Sequence, residues 1–281
     1  MSPTPFDAAP RNRILAALPP EEFARLAPHL EHVMTEVRQL VFDVDRPIEH
    51  VYFPEAAVIS ILSVMADGTA VETATVGREG MVGLPAFLGT DRTSAQAFTQ
   101  ISGPAYRMSA AAFRAAIASS PTLTRTLHRY TQALFVLVAQ SSACNRLHTM
   151  QERCARWMLH THDRVSTGPE TNEFPLTHDF LSQMLGVRRA TVTQAMQGLQ
   201  ATGALTYQMG RVRVLDRPRL EAETCECYTI IVREFDRLLG ASGPAVAGPS
   251  PFDGLKLSEG GRSLLGESVP RRDAEPATDE R

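Results

Sequence analysis

The chain has 281 residues, 43% of them apolar and 21% charged, a composition that supports packed cores and, at roughly 150 residues per domain, about two of them. Its formal net charge is −3, from 28 basic and 31 acidic side chains, which excludes a uniformly basic coat for nucleic acid and leaves room for a local patch. The longest strongly apolar run, Ala133 to Ala139, is far short of the ~20 residues of a membrane-spanning helix; Met1 to Pro10 lacks a secretory pattern, and the four cysteines make no disulfide framework, so a cytoplasmic protein with reduced thiols and no membrane partner is predicted.

The first predicted element is a helical stretch from Arg11 to Leu30, where Pro19-Pro20-Glu21-Glu22 opens a helix with Phe23, Leu26, Ala27 and Leu30 on one face. From Val33 to Met108 the period changes. Short apolar stretches recur at Leu40–Phe42, Val51–Phe53, Val58–Met65, Val71–Val76, Ala97–Ile101 and Tyr106–Met108, and Asp67-Gly68 is a tight-hairpin signal. This spacing predicts an antiparallel barrel or sandwich. Helix returns with Ser109 as N-cap, and Pro121 opens a long helical stretch to about Arg164. Within it Leu123, Leu127, Tyr130, Leu134, Leu137, Ser141, Cys144 and His148 step alternately by four and three residues, a heptad seam. Such a seam is either one face packed on its own domain or a dimer interface. The length favours the dimer, because ~40 helical residues span ~60 Å, more than one barrel covers.

Thr167 to Glu170 reads as a loop and domain boundary, and a second helical unit runs to about Gly240. The remainder, 241–281, holds six Gly, five Pro and five Ser without apolar periodicity and reads as a disordered tail. The predicted organisation is a strand-rich unit at 13–120, a long seam-bearing helix at 121–164, a second helical unit at 169–240 and the tail at 241–281.

The informative segment is Thr177 to Leu199. Thr177 caps a first helix, Leu181 and Leu185 form its inner face, Ser182 is small at a helix crossing, and Gly186 turns the chain. Val187 plugs the turn, and Val192, Ala195, Met196 and Leu199 face inward from a second helix. Counting from His178, a small residue at position 5, glycine at 9 and apolar residues at 4, 8, 10 and 15 match a DNA-binding helix-turn-helix. Arg188, Arg189, Thr191 and Gln194 lie on the outward face, where arginine reads guanine, glutamine reads adenine and threonine takes a phosphate or a thymine methyl. Val192 is included in the predicted DNA-binding set with Thr177. Ala204–Tyr207 and Arg211–Leu215 follow as a hairpin wing with Arg211 and Arg213 on one face. Thr177 to Arg217 carries five arginines against two aspartates, a local positive excess suited to phosphate neutralisation.

The layout resembles the Crp/Fnr family of bacterial transcription regulators over about residues 13 to 235, most strongly in 176–205 and 207–221. The resemblance implies an α+β fold: an N-terminal antiparallel, jelly-roll-like β-roll of cyclic-nucleotide-binding type, a long central dimerisation helix and a C-terminal winged helix-turn-helix. The family pattern Leu-Gly-x-x-Arg-x-Thr-Val/Ile is matched by Leu185, Gly186, Arg189, Thr191 and Val192, making Arg189 the leading base reader. It departs where Ala190 replaces a common Glu and Gln194 a later Arg, so a different operator sequence is expected. The phosphate cassette of the cyclic-nucleotide binders, Gly-Glu-Leu followed by Arg-Ser, is represented by Val82-Gly83-Leu84-Pro85 and Arg92-Thr93-Ser94. It lacks the glutamate, Glu79 lies out of register, and cyclic AMP is not expected at the usual site. The N-terminal cysteine cluster of the iron–sulfur members is absent, since no cysteine precedes Cys144.

The implied partners are double-stranded DNA, a second copy of the chain, and RNA polymerase as a candidate, with an unidentified effector acting through the roll. No cofactor is expected. Alternatives are a ligand-independent DNA-binding protein, or a protein-interaction module with a vestigial sensor. An enzyme is not expected, as no Walker loop, nucleophile elbow or dinucleotide fingerprint is present. No metal site is expected either. Cys225 and Cys227, two apart on a helix, point to different faces, as do His160 and His162, which are read as solvated or capping. His29, His32 and His50 read as surface or loop residues, and Trp157 and Met158 as packing.

Overall fold

A computed structural model describes residues 9–166 and 172–240. The predicted loop at 167–170 and the tail at 241–281 lie outside the described residues. The opening helical stretch is divided into α1 (Arg13–Ala16) and α2 (Pro20–Leu26), because Pro19 and Pro20 supply no amide donors to continue a helix. Buried Asn12 ties this corner to the roll: its amide oxygen accepts from Ile14 and Leu15 N–H, and its NH2 donates to the Pro54 and Gly80 carbonyls at 2.9 and 2.8 Å.

Seven strands form the roll: β1 (Glu31–Thr35), β2 (Leu40–Phe42), β3 (His50–Pro54), β4 (Val58–Val64), β5 (Ala70–Val76), β6 (Ala95–Ile101) and β7 (Gly103–Ser109). They pair antiparallel in two sheets, ordered β1-β7-β3 and β2-β6-β4-β5. Phe42, Ile48, Tyr52, Ile59, Val76, Val82 and Ala97 pack together as the roll's core. Asp67-Gly68 closes the β4–β5 hairpin, Gly68 with a φ of +82° that favours glycine.

Ser109 caps α3 (Ala110–Ser119) and Ser120 caps α4 (Pro121–Leu147). Contrary to the expectation from periodicity, the helix does not run to Arg164: His148 is extended, and Thr149 with Glu152 makes a reciprocal capping box that starts a new helix, α5 (Met150–Val165). The heptad seam is also intramolecular. Leu123, Leu127, Tyr130, Leu137 and Cys144 are buried within the single chain, and Leu134 and Ser141 are half-buried. Tyr130 donates its hydroxyl to the Met81 carbonyl at 2.9 Å. The helix that occupies the seam is α9 (Glu226–Leu239), antiparallel to α4, with Phe235 beside Tyr130 and Cys225 beside Cys144. Five of these seven residues are thus covered within the single chain, the packed-face alternative that the seam left open.

The C-terminal elements are α5, β8 (Glu173–Pro175), α6 (His178–Leu185), α7 (Arg189–Ala201), β9 (Leu205–Gln208), β10 (Arg211–Val214), α8 (Arg217–Ala222) and α9. Trp157 and Met158 pack as expected, in a core with Leu181, Val192, Met196 and Leu199 that also takes in Val58, Leu62 and Ile101 from the roll. Cys225 is the extended N-cap of α9 and Cys227 lies in its first turn, so both thiols reach Cys144. This corrects the different-faces expectation, which holds only where both residues are helical.

Candidate nucleic-acid interface

The reader is built from caps inward. Thr177 Oγ1 accepts from the Phe180 N–H at 3.1 Å and starts α6. Gly186, with φ of +64°, ends it, and the Arg153 guanidinium donates to the freed Leu185 carbonyl at 3.0 Å. Val187 N–H returns to the Ser182 carbonyl, and α7 departs after Arg188. Val192, Ala195, Met196 and Leu199 are buried. Val192 is thus removed from the DNA-contacting set; at 0% exposure it is core. Arg188, Arg189, Thr191 and Gln194 are all exposed on the first turns of α7.

Arg189 meets Asp179 at 3.4 Å, and both side chains are about two-thirds exposed, 66% and 64%. Exposed pairs of this kind contribute ~0–1 kcal/mol, so Asp179 holds the guanidinium only weakly. Behind it, the His178 ring stacks on Tyr207 with centroids 4.3 Å apart, and its Nδ1 lies 2.9 Å from Thr193 Oγ1. His178 and Thr193 brace α6 against α7 and the wing. Sequence reading missed this brace because neither residue has an apolar or helix-turn-helix signature.

The wing is a three-stranded sheet, β8-β10-β9, rather than a two-stranded hairpin. Met209 and Gly210 take φ of +48° and +73°, as a two-residue turn of type I′ requires. Arg211 and Arg213 are exposed on one face, as expected, and Glu173 of β8 holds both: its carboxylate accepts from Arg213 at 2.7 Å and from Arg211. Hydrogen bonds from Arg211 first, then Arg213, hold the Glu173 carboxyl below its ordinary range. Glu173 therefore offsets part of the positive excess counted from the sequence. Glu173→Gln is expected to strengthen binding to any duplex and to steepen its salt dependence, read as the slope of log affinity against log salt by fluorescence anisotropy; an unchanged slope would remove the wing from the interface.

In the roll, Gly83 turns the cassette stretch with φ of +100°. Arg92 is exposed and lies on Asp45, 3.0 Å from its carbonyl. Glu79 instead meets Arg164 of α5 at 2.7 Å, both side chains nearly buried. Trp157 Nε1 donates to Glu72 of β5 at 2.9 Å, and burial pushes the Glu72 carboxyl up. Phe180 of α6 packs edge-on against Phe98 of β6, and Gly186 lies against Val71. Roll and reader are thus in direct contact.

The histidines divide. His32 lies 3.1 Å from Glu55. His162 is buried rather than solvated, between Asn172 and Arg217 at 3.1 and 3.0 Å, and burial pushes its pKa down. His160 is half-buried against Tyr228, and burial holds it well below the ordinary range.

Residues 152–223 match the family of Crp-like helix-turn-helix domains. No curated protein sequence matches at a significant level. Among solved structures, FixK2 from Bradyrhizobium japonicum is 18% identical with a TM-score of 0.59, the alignment covering 70% of this chain and 98% of that one. A transcriptional regulator of the CRP family from Thermus thermophilus is 16% identical with a TM-score of 0.55, covering 68% and 95%. The c-di-GMP responsive global regulator CLP of Xanthomonas campestris is 16% identical with a TM-score of 0.54, covering 69% and 98%. At these identities the likeness establishes the fold. It is that of the Crp/Fnr regulators, and the helix-turn-helix domain is Crp-like. Among the described residues no helix is long and apolar enough to cross a membrane.

Proposed function

We propose that this chain, a Crp/Fnr-type regulator in its fold and its helix-turn-helix domain, is a cytoplasmic, sequence-specific transcription regulator that binds a near-palindromic operator as a homodimer. The observation that carries the reading is the shared exposed face of α7, where Arg188, Arg189, Thr191 and Gln194 stand clear of the core. Its arginines supply bidentate donors for guanine, and Arg211 and Arg213 on the wing supply phosphate contacts. Enrichment of bound duplexes from a random pool tests it: a symmetric motif supports the reading, and recovery of unselected sequence contradicts it.

Dimerisation falls to the face of α4 that its own chain leaves open. Phe135 is 69% exposed and Val138 40%, three residues apart on that face. Two such faces crossing would bury both side chains, an isologous contact. Phe135→Arg is expected to convert the dimer to a folded monomer and to weaken operator binding in parallel. Sedimentation velocity beside far-ultraviolet circular dichroism checks this; a dimer that persists puts the interface elsewhere.

Modulation by a signal in the roll follows from the contacts of β5 and β6 with α5 and α6, since any ligand that favours one arrangement of that boundary shifts the population competent for DNA. The exposed position of Arg92 and the missing cassette glutamate support a signal other than cyclic AMP at the usual site.

A further inference from the structure

Two segments distant in sequence bring four metal-ligating side chains to one point. Cys144 is on the last turn of α4, His148 follows it at the α4–α5 break, and Cys225 and Cys227 open α9. One donor atom from each, three Sγ and one imidazole nitrogen, lies within 4.8 Å of all the others. Cys144 Sγ and Cys225 Sγ are 3.6 Å apart, and Cys227 Sγ and His148 Nδ1 3.4 Å. Zinc–sulfur bonds of ~2.3 Å and zinc–nitrogen bonds of ~2.0 Å at tetrahedral angles place ligand atoms roughly 3.5–3.8 Å apart. The sulfurs are far beyond the ~2.05 Å of a disulfide.

The surroundings match a ligand set rather than incidental packing. All three thiols are buried, Cys225 at 5% exposure and the other two at 0%. The far nitrogen of His148 lies 3.3 Å from the Glu226 carboxylate, the arrangement that orients a metal-bound imidazole and raises its basicity. Gln140 Nε2 donates to Cys227 Sγ at 3.1 Å.

We propose that Cys144, His148, Cys225 and Cys227 form a closed tetrahedral site for one zinc-type divalent cation. Three thiolates and one imidazole leave no open position, the pattern of a structural rather than a hydrolytic ion. The short separations suit a single ion, whereas iron–sulfur clusters are usually held by four thiolates around a larger core. The ion would join the end of α4, the hinge at His148 and the start of α9. It would thereby fix the angle at which the reader leaves the sensor.

The full-length chain, stripped by chelator under reducing, anaerobic conditions, is titrated with Co2+ and then Zn2+. The expected result is one Co2+ per chain with thiolate charge-transfer and tetrahedral ligand-field bands, displaced by one Zn2+ with a rise in Tm. Cys227→Ser should weaken Co2+ binding and lower the thiolate charge-transfer intensity per bound ion. Glu226→Gln changes a half-exposed side chain outside the core and should weaken Co2+ binding about 10- to 100-fold, which keeps the test open if the cysteine variant fails to fold. An octahedral Co2+ spectrum, no uptake by stripped protein that retains its helical circular dichroism, or unchanged affinity in Glu226→Gln would each overturn the site.

Discussion

Replacement of Arg189 by alanine is expected to cost about 1–3 kcal/mol per half-site, roughly 5- to 150-fold in affinity, and to relax base preference at one position of each half-site. The side chain is two-thirds exposed and its ionic partner, Asp179, is equally exposed, so folding should be untouched. Arg211→Ala should behave differently: as the proposed phosphate contact on the wing, its loss should weaken all duplexes alike while lowering the salt slope by about one. The contrast between the two variants matters more than either magnitude. Equal losses on specific and random duplex for Arg189→Ala would place base reading on another residue of α7.

The second large effect concerns stability. Arg164→Met should destabilise the protein by about 3–5 kcal/mol, because it leaves the Glu79 carboxylate nearly buried without its partner. The guanidinium also donates to the Thr75 and His160 carbonyls at 2.9 and 2.8 Å. Its methylene stem passes so close to Gly77 that a Cβ there would sit 2.6 Å from Arg164 Cγ, so the turn after β5 and α5 are fitted to each other. Urea denaturation checks the value, and Glu79→Gln in the same chain should restore part of the loss by removing the orphaned charge. A cost below about 1 kcal/mol would mean that water reaches the pair.

The parts of the fold that were legible in the sequence are those whose pattern is local. β2 to β7 follow from their apolar stretches, Ser109 and Thr177 from capping chemistry, and the helix-turn-helix from fixed positions of Gly186, Leu181 and Val192. β1 was missed because it is an edge strand, mostly exposed and paired only with β7, so it carries no apolar alternation. β8 escaped for a related reason: three residues, Glu173 to Pro175, give no period at all. The helix break at His148 was readable in Thr149-Met-Gln-Glu152, a capping box, but the heptad spacing on either side masked it. That spacing is real: periodicity reveals that a face is buried, and α9 of the same chain covers much of it here. Val192 was set among the DNA contacts through the family pattern although its spacing already made it core. The convergence of Cys144, His148, Cys225 and Cys227 depends on the antiparallel pairing of α4 with α9, which no local pattern encodes.

In the proposed complex, two copies of α7 enter successive major grooves on one face of a duplex. Hydroxyl-radical footprinting of the full-length protein on its enriched sequence tests this most directly. Two protected stretches related by a two-fold axis and centred about one helical turn, roughly 34 Å, apart are expected, both weakened in Arg189→Ala on that sequence. A single unsymmetric footprint, or protection that survives Arg189→Ala and Gln194→Ala together, would contradict it.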